Sequence, residues 1–178
     1  MLEDDNKEPV TLMVKHRLPW LIIGLGGGIL ATILASRYEH LLAANIQLSF
    51  FIPVIVYMAD AVGTQTESVI VRNLARRKVH FLTYLFKEFL LGIILGIGFG
   101  LAMGLFAFLW FQSWQIALTV GFAMFATMSI APLIALVIPE VLWKEHADPA
   151  IGSGPFVTVV QDLLSLLIYF FVATMIIF

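Results

Sequence analysis

The sequence predicts an all-α integral membrane protein with five transmembrane helices, and two observations lead to that prediction. Hydrophobic residues make up 61% of the 178-residue chain, while charged residues make up only 12%. A soluble domain holds roughly 45–50% apolar and about 25% charged residues, so a core of this size could not bury the excess apolar surface. In addition, five separate segments are apolar enough and long enough to cross the hydrocarbon core, which takes a helix of about 20 residues.

The five predicted spans follow a short polar start and fill most of the chain. They cover approximately residues 18–36, 49–71, 82–111, 114–138 and 155–178. Residues 1–17 are too few and too polar to form a core, so we expect them to be a cytoplasmic N-terminal tail or a short interfacial helix. The predicted five-span domain is therefore residues 18–178.

Basic residues in the short loops predict the orientation, because loops rich in Lys and Arg stay in the cytoplasm. One side of the predicted bundle carries most of them: Lys7, Lys15, Arg17, Arg72, Arg76, Arg77 and Lys78. On the other side the first loop holds only Arg37, and the second loop, "FQSWQ", is uncharged. With five spans, we expect the N-terminus in the cytoplasm and the C-terminus outside.

Glycine recurs at every fourth residue along the third span. The repeat consists of Gly92, Gly96, Gly100 and Gly104. Small residues at this spacing let a neighbouring backbone approach closely, since helices in lipid associate by packing. A groove lining a pore would be the alternative, but we expect helix packing.

Acidic side chains inside two spans are the main functional signal. A charge at the bilayer centre costs about 2.5–3.5 kcal/mol on insertion scales, so it normally faces protein or water. In the second span, Asp60, Thr64 and Glu67 lie at i, i+4 and i+7 and share one helical face. In the fifth span, Asp162 shares a face with Thr158.

A cation from outside the chain is the expected partner of these acids. No Lys, Arg or His lies at the predicted depth of Asp60 or Asp162. Carboxylate, hydroxyl and amide oxygens suit hard divalent ions, Mg²⁺ above all when it keeps much of its water shell. The four histidines fall in loops or at span ends and form no zinc-type cluster. Polar residues around Thr64 also predict local unwinding, which is tolerated where backbone lines a cavity.

Other interpretations of the acids stay open at this point. Asp60 and Asp162 could be buried carboxyl groups satisfied by hydrogen bonds, and Glu67 could be solvated at the interface. The fourth loop adds three acids that form either a cytoplasmic mouth or a solvated surface: Glu140, Glu145 and Asp148. An intramembrane aspartyl protease would carry a tyrosine-aspartate pair and a glycine-x-glycine-aspartate turn. Here the aspartates follow "YMA" and "VVQ", so we predict that the chain is not an enzyme.

The spans resemble the transmembrane domain of MgtE-type magnesium channels. That family's second span carries a proline, then glycine-glycine-asparagine-x-glycine-asparagine-glutamine, then an arginine, matched here by Pro53, Gly63, Gln65 and Arg72. Its third span opens with lysine-glutamate, as in "LFKEFLLGIILG". Its fifth keeps an aspartate-proline-alanine block, a serine, a proline, a threonine, an aspartate and an LLIY run, as in "DPAIGSGPFVTVVQDLLSLLIYF".

The resemblance implies a homodimer with an ion path at the subunit interface, lined by the second and fifth spans. Asp162 matches the family's pore aspartate, which holds a hydrated Mg²⁺ from both subunits, and Asp148 matches an acid at the cytoplasmic mouth. The second span departs from the family pattern. "ADA" stands at 59–61 in place of glycine-glycine-asparagine, Thr64 replaces an asparagine, and Glu67 replaces a small residue. Selectivity for Mg²⁺ therefore does not follow from the resemblance alone.

Divalent cation transport, with Mg²⁺ as the bound and transported ion, is the function that these features predict. The candidate metal-binding residues are Asp162, Asp60, Glu67, Thr64, Thr158 and Asp148. The alternatives are a carrier or exchanger for Mn²⁺, Co²⁺ or Ca²⁺, and a non-conducting membrane subunit that docks a partner. The 178 residues hold no counterpart of the family's N-terminal and CBS domains, so we expect either regulation by a separate protein or slow, ungated transport. Membrane lipid is an expected partner and nucleic acid is not.

Overall fold

The computed structural model describes residues 9–75, 81–145 and 149–178, and no strand occurs in these ranges. The α-helices, in chain order, are α1 Val10–Ser36, α2 Glu39–Ala44, α3 Ile52–Ala75, α4 Phe81–Phe111, α5 Trp114–Lys144 and α6 Pro149–Ile177. A 3₁₀ helix, Ile46–Phe51, leads directly into α3. By length and composition, α1, α3, α4, α5 and α6 are each suited to cross a membrane. The predicted all-α fold with five spans is confirmed.

Four helices extend further than the apolar segments that predicted them, and α3 does so least, ending at Ala75 rather than near residue 71. Helix α1 begins at Val10 rather than near residue 18, α5 continues to Lys144 rather than ending near 138, and α6 begins at Pro149 rather than near 155. The hydropathy pattern marks only the part of a helix that suits hydrocarbon, whereas backbone hydrogen bonding continues into the polar flank. Proline is compatible with the first position of α6, because its missing N–H would have no partner within the helix there.

The expected local unwinding of the second span is wrong. Helix α3 is continuous from Ile52 to Ala75. Ser68 keeps its hydroxyl satisfied within the helix, since its Oγ donates to the Thr64 carbonyl oxygen at 2.8 Å. Gly63 is buried against α6, so the glycine serves close helix packing rather than a break in the helix.

Helix α5 forms the centre of the bundle. Half of its most apolar window is buried, against 6% for α1. It packs against α3, α4 and α6, while α1 packs against α6. The main hydrophobic cluster joins these helices through large, fully buried side chains, among them Leu48, Ile55, Met124, Tyr169 and Phe170. The central helix thereby supports both helices that carry the predicted metal-binding residues.

The glycine repeat of α4 packs directly against the backbone of α5. A Cβ atom added at Gly92 would lie 2.7 Å from the Ser129 carbonyl oxygen, and one at Gly100 would lie 2.8 Å from that of Gly121. Real Cβ atoms essentially never show contacts below 3.0 Å. The interpretation of this repeat as a helix-packing motif is confirmed.

Candidate cation site

Helices α3 and α6 run antiparallel and face each other along most of their length. At one end, Tyr169 Oη donates to the carbonyl oxygen of Leu48, just before α3, at 2.6 Å. At the other end, Ser153 Oγ lies 2.5 Å from Glu67 Oε1. Residues at the start of α3 thus meet residues near the end of α6, and residues late in α3 meet the start of α6. The acids predicted from the sequence belong to this pair of helices.

One pocket brings together three of the predicted residues, Asp60, Thr158 and Asp162. It has a volume of about 400 Å³, and Tyr57 also lines it. Thr158 Oγ1 donates to Asp60 Oδ1 at 3.2 Å, linking the two helices across the pocket. The Asp162 carboxylate is half-buried and lines the pocket together with Asp60. The pocket therefore presents carboxylate and hydroxyl oxygens from both helices.

Glu67 lies further along α3, beside the start of α6. The single hydroxyl proton of Ser153 has two acceptors at 2.5 Å, Glu67 Oε1 and the Pro149 carbonyl oxygen, and it can serve only one of them at a time. Gly154 adjoins the same carboxylate, since a Cβ atom there would lie 3.8 Å from Glu67 Oε1. A third carboxylate thus stands between the pocket and the end of α3.

The remaining predicted residues are Thr64 and Asp148. Thr64 is exposed and is not among the residues that line it, although it shares a helical face with Asp60. Asp148 lies outside the residues that the structure describes. The two other acids predicted in the fourth loop lie at the end of α5: Glu140 is within the helix and forms an ion pair with Lys144, with Nζ and Oε1 3.3 Å apart, and Glu145 follows the helix and is exposed.

The described carboxylates of α3 and α6 form no ion pair with a lysine or arginine. In residues 9–75, 81–145 and 149–178, neither Lys nor Arg forms a salt bridge with Asp60, Glu67 or Asp162. In the same ranges, no three His, Asp or Glu side chains lie close enough to hold a metal ion as a group. A cation at this pocket would have to be bound by two carboxylates, hydroxyl groups and water.

Sequence reasoning missed three contacts that shape the site. Tyr57 precedes Asp60 by three residues, so the helical spacing could have found it. The contact of Ser153 with Glu67 depends on how α3 and α6 pack, and no local pattern reports that. On another side of α3, Thr66 Oγ1 donates to Glu88 Oε2 at 2.8 Å, so this membrane-level acid of α4 also has a partner on α3.

Comparison with known proteins points to one family. Residues 52–172 match the family model described as MgtE, divalent cation transporter. The magnesium transporter MgtE of Bacillus subtilis is 34% identical over 162 residues, which cover 89% of this chain and 36% of that protein. The corresponding protein of Enterococcus faecalis is 35% identical over 177 residues, 98% of this chain and 39% of that protein.

A third relative extends the comparison to a more distant sequence. The magnesium transporter MgtE of Thermus thermophilus is 28% identical over 169 residues, 93% of this chain and 37% of that protein. The chain thus spans little more than a third of the length of these relatives. The family model covers well over half of the chain, and five of its helices are long and apolar enough to cross a membrane. The chain therefore belongs to the MgtE family of divalent cation transporters and is a multi-pass membrane protein.

Proposed function

We propose that this chain transports Mg²⁺ across the cell membrane, along a path between two copies of the chain that is lined by α3 and α6. The observation that carries the proposal is the pocket formed by Asp60, Thr158 and Asp162 within membrane-spanning helices. Carboxylates at this depth are costly unless a partner neutralises them. Among the described residues no lysine or arginine forms an ion pair with these carboxylates. A divalent cation would supply the missing charge.

The dimensions of the pocket suit a hydrated ion. Mg²⁺ prefers octahedral coordination and usually keeps several waters, so one or two carboxylates are enough to bind it. Six waters at about 30 Å³ each occupy roughly 180 Å³. The pocket has a volume of about 400 Å³, so the ion would enter with its water shell. The Asp60 and Asp162 carboxylates would then accept hydrogen bonds from bound water, and Thr158 would fix the orientation of Asp60.

A polar strip on α3 supports the dimer. Four side chains of this membrane-spanning helix are exposed: Thr64, Gln65, Ser68 and Arg72. Polar groups facing lipid are unfavourable, so this strip favours contact with protein or water. A second copy related by a two-fold axis would cover the strip and bring a second set of carboxylates to the same path. Thr64 would then face the path from the interface rather than from the pocket.

The distribution of basic residues supports one orientation. Lys15, Arg17 and Arg72 are exposed, and they lie near the ends of α1 and α3 that the positive-inside rule assigns to the cytoplasm. In this orientation Glu67 is the carboxylate nearest the cytoplasmic end of the path. Asp148, which lies outside the described residues, would be at its mouth. The same proposal includes regulation of transport by a separate protein and the selection of Mg²⁺ among divalent ions.

Flux through the purified chain tests the proposal. The chain is reconstituted in liposomes, and entry of Mg²⁺ is followed with a trapped fluorescent indicator. Asp162→Asn keeps the shape of the side chain but removes its charge, so we expect flux to be lost while the dimer persists. Glu39→Gln is the matched control, because it removes a charge from an exposed position on α2.

The outcomes separate the alternatives. Unchanged flux in Asp162→Asn would remove this residue from the mechanism. A well-folded chain that gives no flux, but that co-purifies with another membrane protein, would favour the non-conducting subunit. Saturating transport that depends on a second ion gradient would indicate a carrier or exchanger rather than a channel.

A further inference from the structure

Gln161, the residue before Asp162, is a buried polar side chain with an unusual environment. It is only 1% exposed and is among the largest fully buried side chains of the described residues. Its Nε2 donates to the carbonyl oxygen of Ala131 in α5 at 2.9 Å. Its Oε1 has no hydrogen-bond partner among the described residues. Buried polar atoms without a partner are uncommon in folded proteins and require an explanation.

The same side chain fills the space left by a glycine on α3. A Cβ atom added at Gly63 would lie 1.9 Å from Gln161 Nε2 and 2.6 Å from its Cδ. No side chain larger than hydrogen fits at residue 63 unless Gln161 moves. Gln161 therefore meets α5 through a hydrogen bond and α3 through direct packing, so that one residue of α6 contacts two other helices.

This contact lies next to the pocket in both helices. Gly63 follows Asp60 by three residues, and Gln161 follows Thr158 by three residues, so each is about one turn from the Asp60–Thr158 hydrogen bond. Successive residues of a helix point about 100° apart. When Gln161 is held toward α5 and α3, Asp162 is turned away from that interior and toward the pocket that it lines.

We infer that Gln161 is a positioning residue that fixes the rotation and the register of α6 against α3, so that Asp162 and Thr158 stand opposite Asp60. This inference rests on the proposed function for its consequence, since the residues so positioned are those proposed to bind the ion. Filling space alone would not require an amide, because an apolar side chain of the same length would fill the space without a buried unpaired oxygen. The hydrogen bond to the Ala131 carbonyl oxygen explains why an amide side chain, rather than an apolar one, occupies this position.

Gln161→Met is the first test, because methionine keeps the length of the side chain and removes its hydrogen bonding. In liposome flux, we expect the apparent affinity for Mg²⁺ to fall about tenfold or more, since small displacements of binding groups are costly. We also expect the preference among Mg²⁺, Mn²⁺, Co²⁺ and Ca²⁺ to weaken. The melting temperature should change by no more than about 3 °C. Gln115→Met, at an exposed position of α5, is the matched control.

A second readout does not depend on transport. The chain contains no cysteine, so Asp60→Cys and Thr158→Cys together introduce a unique thiol pair. A short bifunctional thiol reagent should link this pair efficiently, and intact mass should report the product. Adding Gln161→Met should reduce the linked fraction severalfold. An unchanged linked fraction would overturn the inference, whatever the flux.

A substitution at Gly63 keeps the inference testable if Gln161→Met folds poorly. Gly63→Ala should displace the Gln161 side chain and so reduce the linked fraction, whereas Gly98→Ala, where an added methyl group would meet nothing within 4 Å, should leave it unchanged. Full linking in Gly63→Ala would contradict the inference. Absence of flux from the unmodified chain would count against the proposed function, whereas a linked fraction that falls in Gln161→Met would still support the positioning role.

Discussion

Two glycine-to-alanine substitutions in α4 test the packing of the bundle with a built-in control. A methyl group at Gly92 would meet three backbone atoms of α5, the nearest being the Ser129 carbonyl oxygen at 2.7 Å. A methyl group at Gly98 would meet nothing within 4 Å. Both substitutions are in the same helix, and they gain the same preference of alanine for helical structure, about 0.5–1 kcal/mol. Their difference therefore isolates the clash.

The size of the difference follows from the contact distances. A carbon atom 2.7 Å from a carbonyl oxygen must move by several tenths of an ångström, and here the atoms that must yield are backbone atoms of a packed helix. Overpacking of this kind typically costs about 1–3 kcal/mol. For a chain of this size, 1 kcal/mol corresponds to about 2–4 °C in melting temperature. We expect Gly92→Ala to melt about 2–12 °C below Gly98→Ala.

Thermal unfolding of both variants in one detergent measures this difference, with loss of helical circular dichroism as the signal. Gly98→Ala should be at least as stable as the unmodified chain. Equal melting temperatures for the two variants would refute the close approach of α4 and α5. A loss of stability in Gly98→Ala alone would indicate that the other face of α4 is the packed one.

Three further predictions concern the candidate site. Asp60→Ala should change the order of preference among Mg²⁺, Mn²⁺, Co²⁺ and Ca²⁺ more than it changes stability, and competition flux with an unaltered order would exclude Asp60 from selectivity. Ser153→Ala removes the hydroxyl 2.5 Å from Glu67 Oε1. Hydrogen bonds to charged groups contribute about 1.5–3 kcal/mol, so the affinity for Mg²⁺ should change about tenfold or more. An unchanged dependence of flux on Mg²⁺ concentration would contradict a role for this contact. Uptake of Mg²⁺ should weaken as the pH falls from neutral to mildly acidic values, because a protonated carboxyl group is a poorer cation ligand. Initial uptake rates that stay constant over this pH range would argue against binding of the cation by carboxylates.

The five spans and the helices that carry the site could be predicted because the bilayer imposes strong rules on sequence. Long apolar segments indicate helices, and an acid such as Asp60 or Asp162 inside them is costly enough to indicate function. Helix ends were less predictable, since α5 continues to Lys144 after its apolar segment has ended. Hydropathy does not report where backbone hydrogen bonding stops.

The particular residues that meet between helices could not be predicted, because they lie far apart in the sequence. Ser153 and Glu67 are 86 residues apart, and no local pattern specifies that they meet. Gly63 shows the same limit in another way. A glycine in a span is compatible with an unwound helix or with close packing, and only the position of Gln161 shows that packing is the reason here.

The central place of α5 has a practical consequence for engineering this protein. A substitution in its buried face alters its packing against α3, α4 and α6 at once. Labels, fusions and sequence variation should therefore be tolerated least there. Helix α1 is the opposite case, since it rests on α6 and presents most of its surface outward. Reporter dyes or affinity handles attached to the outward face of α1 should leave the acidic pair of helices undisturbed, whereas the face that carries Gly27 and Ala31 packs against α6 and the pocket.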